Sequence, residues 1–179
     1  MLFSPAIIQA RVGEIALALR HRHGDRCPVF ICMLHGGFVF LSDLIRSFAA
    51  PHEIDFLKMS RYDTQQRDQT DVKVLQDLRS PVRGRVVVVV EAIRARGTKV
   101  EYLDRFLRLH GPERVEYCAL VLPQDGNLSV PVHEVGFRIG REFVVGCGLD
   151  WRERFRGLPG ICVLDPDSES AGLDRRGEA

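Results

Sequence analysis

Unbroken apolar runs alternate along this chain with segments whose apolar residues recur every third or fourth position. The stretches "PVFICML" (28–34), "EIDFLKM" (53–59), "VKVLQDL" (72–78), "RVVVVV" (85–90) and "VEYCALVL" (115–122) read as strands. Continuous apolar character, clearest in the run of five valines, predicts burial on both faces, as in the central strand of a parallel sheet. Residues 1–20, the segment after a turn at Gly36 and Gly37, and "KVEYLDRFLRLHG" up to Gly111 carry helical spacing. "VHEVGFRI" (132–139) and "EFVVGCGL" (142–149) supply further strands. This order predicts β-α-β units: an α/β fold with a central, mainly parallel sheet flanked by helices. "SRYDTQQRDQTD" (60–71) is polar, lacks periodicity and reads as a long mobile loop, and "DPDSESAGLDRRGEA" (165–179) reads as a polar tail.

Composition narrows the class without naming a function. Apolar residues are 45% and charged residues 27% of 179, an ordinary globular balance, and with no internal repeat residues 1–179 read as one domain. A net charge of +1 leaves no broad footprint for nucleic acid, since the basic stretch "DWRERFRG" (150–157) is interrupted by acids. Arg11 and Glu14 break the apolar N-terminal segment, so neither a signal peptide nor a membrane span is expected, and a cytoplasmic location is. Cys27, Cys32, Cys118, Cys147 and Cys162 form no C-x-x-C pair and mostly sit in apolar runs, as reduced structural thiols do.

Candidate chemistry begins at "VVVVVEAIRARGTKVEYL" (86–103). A strand, an acid, a short loop and a helix start form a layout that turns free helix N–H groups toward an anion. Gly97 permits close backbone approach, Thr98 offers a hydroxyl, and Arg96 and Lys99 add positive charge. A helix start with solvated basic residues is the plain alternative; the strand–loop–helix context favours the anion site.

"CMLHGGFVFLSDL" (32–44), the "RYDTQQ" segment (61–66), "VVVEAIRARGT" (88–98) and "VGFRIGREFVVGCGLDWRERFRGLP" (135–159) complete the pattern. In this order they resemble the type I phosphoribosyltransferases, and the late stretch narrows the resemblance to the hypoxanthine-guanine branch. The resemblance implies transfer of a 5-phosphoribosyl group from phosphoribosyl pyrophosphate to hypoxanthine or guanine, with Mg2+ and release of pyrophosphate, in purine salvage. It also implies a small hood from the terminal segments and a homo-oligomer, a dimer or tetramer, with no nucleic-acid or membrane partner.

Carried onto this sequence, the resemblance implies phosphate binding by Arg96, Gly97, Thr98 and Lys99 and ribose binding by Glu91. His35, Gly36 and Arg156 would meet pyrophosphate, with a non-proline cis peptide at Leu34–His35. Phe143 would stack on the purine, Val144 would read its edge through the backbone, and Ile93 and Leu149 would complete the base slot. Asp150 with Glu91 would hold magnesium, a hard cation that takes oxygen ligands. A core aromatic at Phe143, a strand-end cap at Asp150, a structural histidine at His35 and an exposed arginine at Arg156 are the plain alternatives.

Three positions depart from the family pattern. The second of two adjacent ribose-binding acids is Ala92, and the acid that exchanges a proton with the purine ring nitrogen is Ala95. The lysine that donates to the 6-oxo group is Pro123, which offers neither charge nor backbone donor. In the polar segment Tyr62 is kept and Arg61 is new. Positioned acid–base groups contribute about 10² to 10⁴ in rate, so turnover is expected to be weak or lost. The open readings are a slow salvage enzyme, a non-catalytic purine nucleotide sensor or regulatory subunit, and a structural partner of an active relative.

Overall fold

The valine run forms the middle of the sheet and is buried on both sides, as its unbroken apolar character demands. A computed structural model describes residues 1–63, 70–93, 98–124 and 128–165. In chain order the elements are α1 (Pro5–His23), β1 (Val29–Met33), α2 (Phe38–Phe48), β2 (Glu53–Asp63), β3 (Thr70–Gln76), β4 (Val86–Ile93), α3 (Thr98–Leu109), β5 (Arg114–Pro123), β6 (Glu134–Ile139), β7 (Val144–Val145) and β8 (Cys162–Val163). The large sheet has the order β3-β2-β1-β4-β5-β6, parallel throughout except for the β2–β3 pair.

Side chains alternate across a strand, and the valines divide accordingly. Val86, Val88 and Val90 face one core with Ile8, Ile15 and Leu19 of α1 and Phe40, Leu44 and Phe48 of α2. Val87 and Val89 face the other core, with Val100, Leu103 and Leu107 of α3. Burying a valine is worth about 1.5–3 kcal/mol, so this one strand anchors both helical layers. Helix α1 starts where Ser4 caps the Ile7 N–H at 3.4 Å and Pro5 occupies the first turn.

The polar segment 60–71 departs from its expected form. Strand β2 runs on to Asp63 and β3 begins at Thr70, with Arg61 opposite Val72 and Tyr62 opposite Asp71. An antiparallel arm is held by its backbone ladder and needs no apolar stripe, so periodicity could not reveal it. Residues 64–69 and the tail from 166 lie outside the described residues. "EFVVGCGL" also yields less strand than expected, because Gly146 and Gly148 take φ of 100° and 94° and turn the chain after Val145. Strands β7 and β8 pair antiparallel, and Phe3 bridges to Ile161 while stacking on Phe137 at 4.1 Å. Phe3 and Ile161 therefore meet beside the edge strand β6.

All five cysteines are free thiols, and three are buried. Burial pushes the Cys32 thiol up to about 12 and the Cys147 thiol up to about 11, and raises that of Cys118 as well. These groups serve packing, not nucleophilic chemistry. Among the described residues no helix is long and apolar enough to cross a membrane.

The charged residues at the end of α1 are tied to the sheet. Buried Glu116 of β5 receives Arg22 at 3.3 Å and Arg114 at 3.4 Å, and His23 Nε2 lies 3.1 Å from it as an ion-pair contact without good hydrogen-bond alignment. Burial raises the Glu116 carboxyl, but the contact with His23 and the charges of His23 and Arg22 outweigh it and hold the group below the ordinary range. A carboxyl lowered in the fold stabilises above its unfolded value and loses that contribution as pH falls through the folded one. Glu116→Gln should therefore lower stability by about 1–3 kcal/mol in urea unfolding at neutral pH. The gap should close as pH falls below the ordinary carboxyl value of 4.5. An equal gap at low and neutral pH would show that the ionised carboxylate contributes nothing.

Candidate active site

Two loops meet backbone to backbone at the carboxyl end of the sheet. Strand β1 runs into a cis peptide at Leu34–His35 and then the Gly36–Gly37 turn that starts α2. A Cβ on Gly37 would sit 2.8 Å from the Val90 carbonyl and 3.0 Å from that of Met33, so this turn lies directly on the strand ends. The late loop comes down onto it: a Cβ on Gly148 would approach the Gly36 carbonyl to 2.1 Å, at a backbone φ of 94°. Only glycine satisfies both conditions there.

These contacts wall a cavity of about 360 Å³. His35 and Gly36 line it from the early loop, Glu91, Ala92 and Ile93 from the end of β4, and Lys99 from the first turn of α3. Leu149, Asp150, Glu153 and Arg156 close it from the late loop. Eight of the binding residues expected from the sequence therefore line one cavity: His35, Gly36, Glu91, Ile93, Lys99, Leu149, Asp150 and Arg156. Ligands of open α/β sheets bind at this end of the strands, where a helix N-terminus also points.

Phe143 stands apart from that lining. Its ring is 39% exposed and meets Trp151 edge-on at 5.3 Å, with Val144 buried beside it in β7. Arg96 and Gly97 lie outside the described residues, as does Ala95, and Thr98 is the first residue of α3. Neighbouring strand residues point to opposite faces, and at the end of β4 Ala92, 4% exposed, packs on the α1/α2 core where it also lines the cavity, while Glu91 takes the other side. Pro123 ends β5 opposite Ile139, at the same carboxyl end of the sheet.

Electrostatics in the cavity centre on Arg156. Its Nη1 donates to the Gly148 carbonyl at 2.8 Å and pairs with Asp150 at 2.8 Å, and its Nη2 pairs with Glu153 at 2.8 Å. Asp150 also accepts the Glu153 backbone N–H at 3.0 Å. The hydrogen bond and charge of Arg156 hold the Glu153 carboxyl below its ordinary range, and His35 and Lys58 act in the same direction. Across the cavity mouth Lys58 Nζ lies 3.3 Å from His35 Nε2.

Sequence reasoning missed Lys58, Trp151 and Glu153. Lys58 alternates with buried Leu57 and Met59, a parity that marks it as facing the opposite side. Glu153 precedes Arg156 by three residues, an ion-pair spacing hidden in a run of charges. Among the described residues no group of three or more His, Cys, Asp or Glu side chains could hold a metal. Asp150 and Glu91 do line one cavity, and magnesium often needs only one or two carboxylates beside substrate phosphates.

The six-stranded, mostly parallel sheet flanked by helices, with its cleft at the strands' carboxyl ends, is shared with solved phosphoribosyltransferases of the type I fold. The phosphoribosyl transferase domain model matches residues 4–152. The hypoxanthine phosphoribosyltransferase of Salmonella typhimurium is 36% identical over 162 residues, 89% of this chain and 91% of that protein. The hypoxanthine-guanine phosphoribosyltransferase of Bacillus subtilis is 33% identical over 167 residues, 93% of each. A crystal structure of a hypoxanthine-guanine phosphoribosyltransferase from Bacillus anthracis matches with a TM-score of 0.85 at 32% identity, over 92% of this chain and 97% of that one. The chain belongs to the phosphoribosyltransferase family and, within it, to the purine phosphoribosyltransferases of hypoxanthine-guanine type.

Gly148 leaves no room for a side chain between the two loops. Gly148→Ala should cost more than about 1–2 kcal/mol from the left-handed backbone alone, with the clash on Gly36 added. Thermal unfolding of the full chain reads this directly. An unchanged Tm would show that the two loops do not depend on each other.

Proposed function

We propose that this protein binds a 5-phosphorylated ribose ligand of purine salvage, either phosphoribosyl pyrophosphate or a purine nucleotide, and transfers the phosphoribosyl group slowly or not at all. The carrying observation is the mixed content of one cavity. Glu91, Lys99, Asp150 and Arg156 supply acid and cation to it, while the residue after Glu91, also in its lining, is an alanine.

In this reading Lys99 and the N–H groups at the start of α3 take the 5-phosphate, and Glu91 takes ribose hydroxyls. The backbone of His35 and Gly36, with the Arg156 guanidinium, takes the pyrophosphate; planar guanidinium suits phosphate oxygens. Phe143 and Ile93 flank the base, with Val144 and Leu149 beside it. Magnesium, held by Asp150 and Glu91 with the ligand's own oxygens, would neutralise charge on the leaving pyrophosphate.

Transfer forms a bond from a purine ring nitrogen to the ribose and releases pyrophosphate, so a group must take the ring proton. Ala95 has none to offer, and Ala92 cannot bind a hydroxyl. Pro123 cannot donate to a 6-oxo group, which weakens the choice between bases more than the fit of their shape. Ala92 and Pro123 therefore favour the second reading, a non-catalytic nucleotide sensor or regulatory subunit, as the limit of the first.

Two measurements separate these readings. A rise in Tm with guanosine monophosphate tests binding, and formation of nucleotide from labelled hypoxanthine tests transfer. Ala95→Asp with Ala92→Asp should raise transfer above the wild type, with each single change giving less, since groups acting on one transition state are not additive. The Asp at 92 enters a buried site and should lower Tm. A folded double mutant no faster than wild type would place the defect elsewhere.

A further inference from the structure

The turn that carries Glu153 breaks a local rule. Trp151 and Arg154 exchange backbone hydrogen bonds at 3.2 and 2.9 Å, leaving Arg152 and Glu153 as a two-residue hairpin loop. Both have positive φ, 50° and 63°, the pattern of a type I′ turn that normally selects asparagine and glycine. A glutamate there is disfavoured by its own backbone, and such exceptions gather at functional positions. Its carboxylate is spent on Arg156, at 2.8 Å.

Arg156 is consequently a cation with its fork already occupied. Asp150, Glu153 and the Gly148 carbonyl surround it, and its side chain is only 17% exposed, while that of Glu153 is 76% exposed. Asp150 is further fixed by the Glu153 backbone N–H, so of the two carboxylates Glu153 is the one free to swing into solvent. Lys58 and His35 stand across the mouth and pull on the same carboxylate electrostatically.

We propose that Glu153 is a positioning residue that holds the Arg156 guanidinium against Asp150 and surrenders it only to an incoming polyphosphate. Ligand binding then exchanges an internal ion pair for an external one, and Glu153 moves toward Lys58 and His35. An exposed pair changes an equilibrium by a factor of less than about five, weak enough for a multiply charged phosphate to displace. The proposal rests on the reading of Arg156 as the group that meets the ligand's phosphates.

Calorimetric titration of the full chain with pyrophosphate, in magnesium-containing buffer, tests it. Glu153→Gln should tighten pyrophosphate binding about two- to fivefold, and the ratio to wild type should shrink as salt is raised. Glu153→Gly should tighten it similarly and raise Tm, because glycine suits the turn; it keeps the test valid if the glutamine variant folds poorly. Equal or weaker binding by both variants, with wild type binding normally, would overturn the role of Glu153 and leave the site reading intact. Binding by wild type that Arg156→Gln does not weaken, or no binding by any variant, would overturn the site reading and the proposal with it.

Discussion

Double-sided burial of β4 is the constraint on which the rest depends. Its alternate valines hold α1 and α2 on one face and α3 on the other, with no polar side chain before Glu91. The first residues freed from that burial are those at the carboxyl end, where the early loop and the late loop also arrive. The packing of the Gly36–Gly37 turn onto Val90, and of Gly148 onto Gly36, converts the strand's end into a cavity wall. The candidate chemistry gathers at that end because there the valines of β4 give way to Glu91 at the edge of a cavity.

The same geometry explains how binding and catalysis can separate. In the proposed reading, anion binding draws on backbone N–H groups, a helix N-terminus and an arginine. In the same reading proton exchange and ribose positioning draw on individual carboxylates, and two of those positions are alanine. Losing an acid–base group removes about 10² to 10⁴ in rate while leaving the phosphate contacts in place. Ala92, which lines the cavity, also packs on the α1/α2 core, so an alanine at that position is accommodated by packing.

Much of this was legible in the sequence, for a physical reason. Buried strands must be continuously apolar, so β1, β4 and β5 announced themselves, and glycines that cannot be replaced marked the loops between them. The β2–β3 arm did not, because a paired backbone imposes no side-chain pattern at its polar end. Nor did the Arg22–His23–Glu116 cluster, which joins the end of α1 to β5 and forms only when the helix packs on the sheet. At the site, residue types suggested the contacts to phosphate, but the occupied state of Arg156 required coordinates: an i, i+3 pair inside "RERFR" reads equally as solvated charge.

Ligand binding in this cavity and impairment of the chemical step are separable by experiment. Single-turnover measurement with saturating phosphoribosyl pyrophosphate and labelled hypoxanthine separates the two, because it reads the chemical step free of product release. Saturable dependence on phosphoribosyl pyrophosphate with a limiting rate well below about 1 per second is the expected result. A limiting rate within the ordinary enzymatic range of about 1 to 10³ per second would contradict it, and would mean that other groups perform the work of the missing acids.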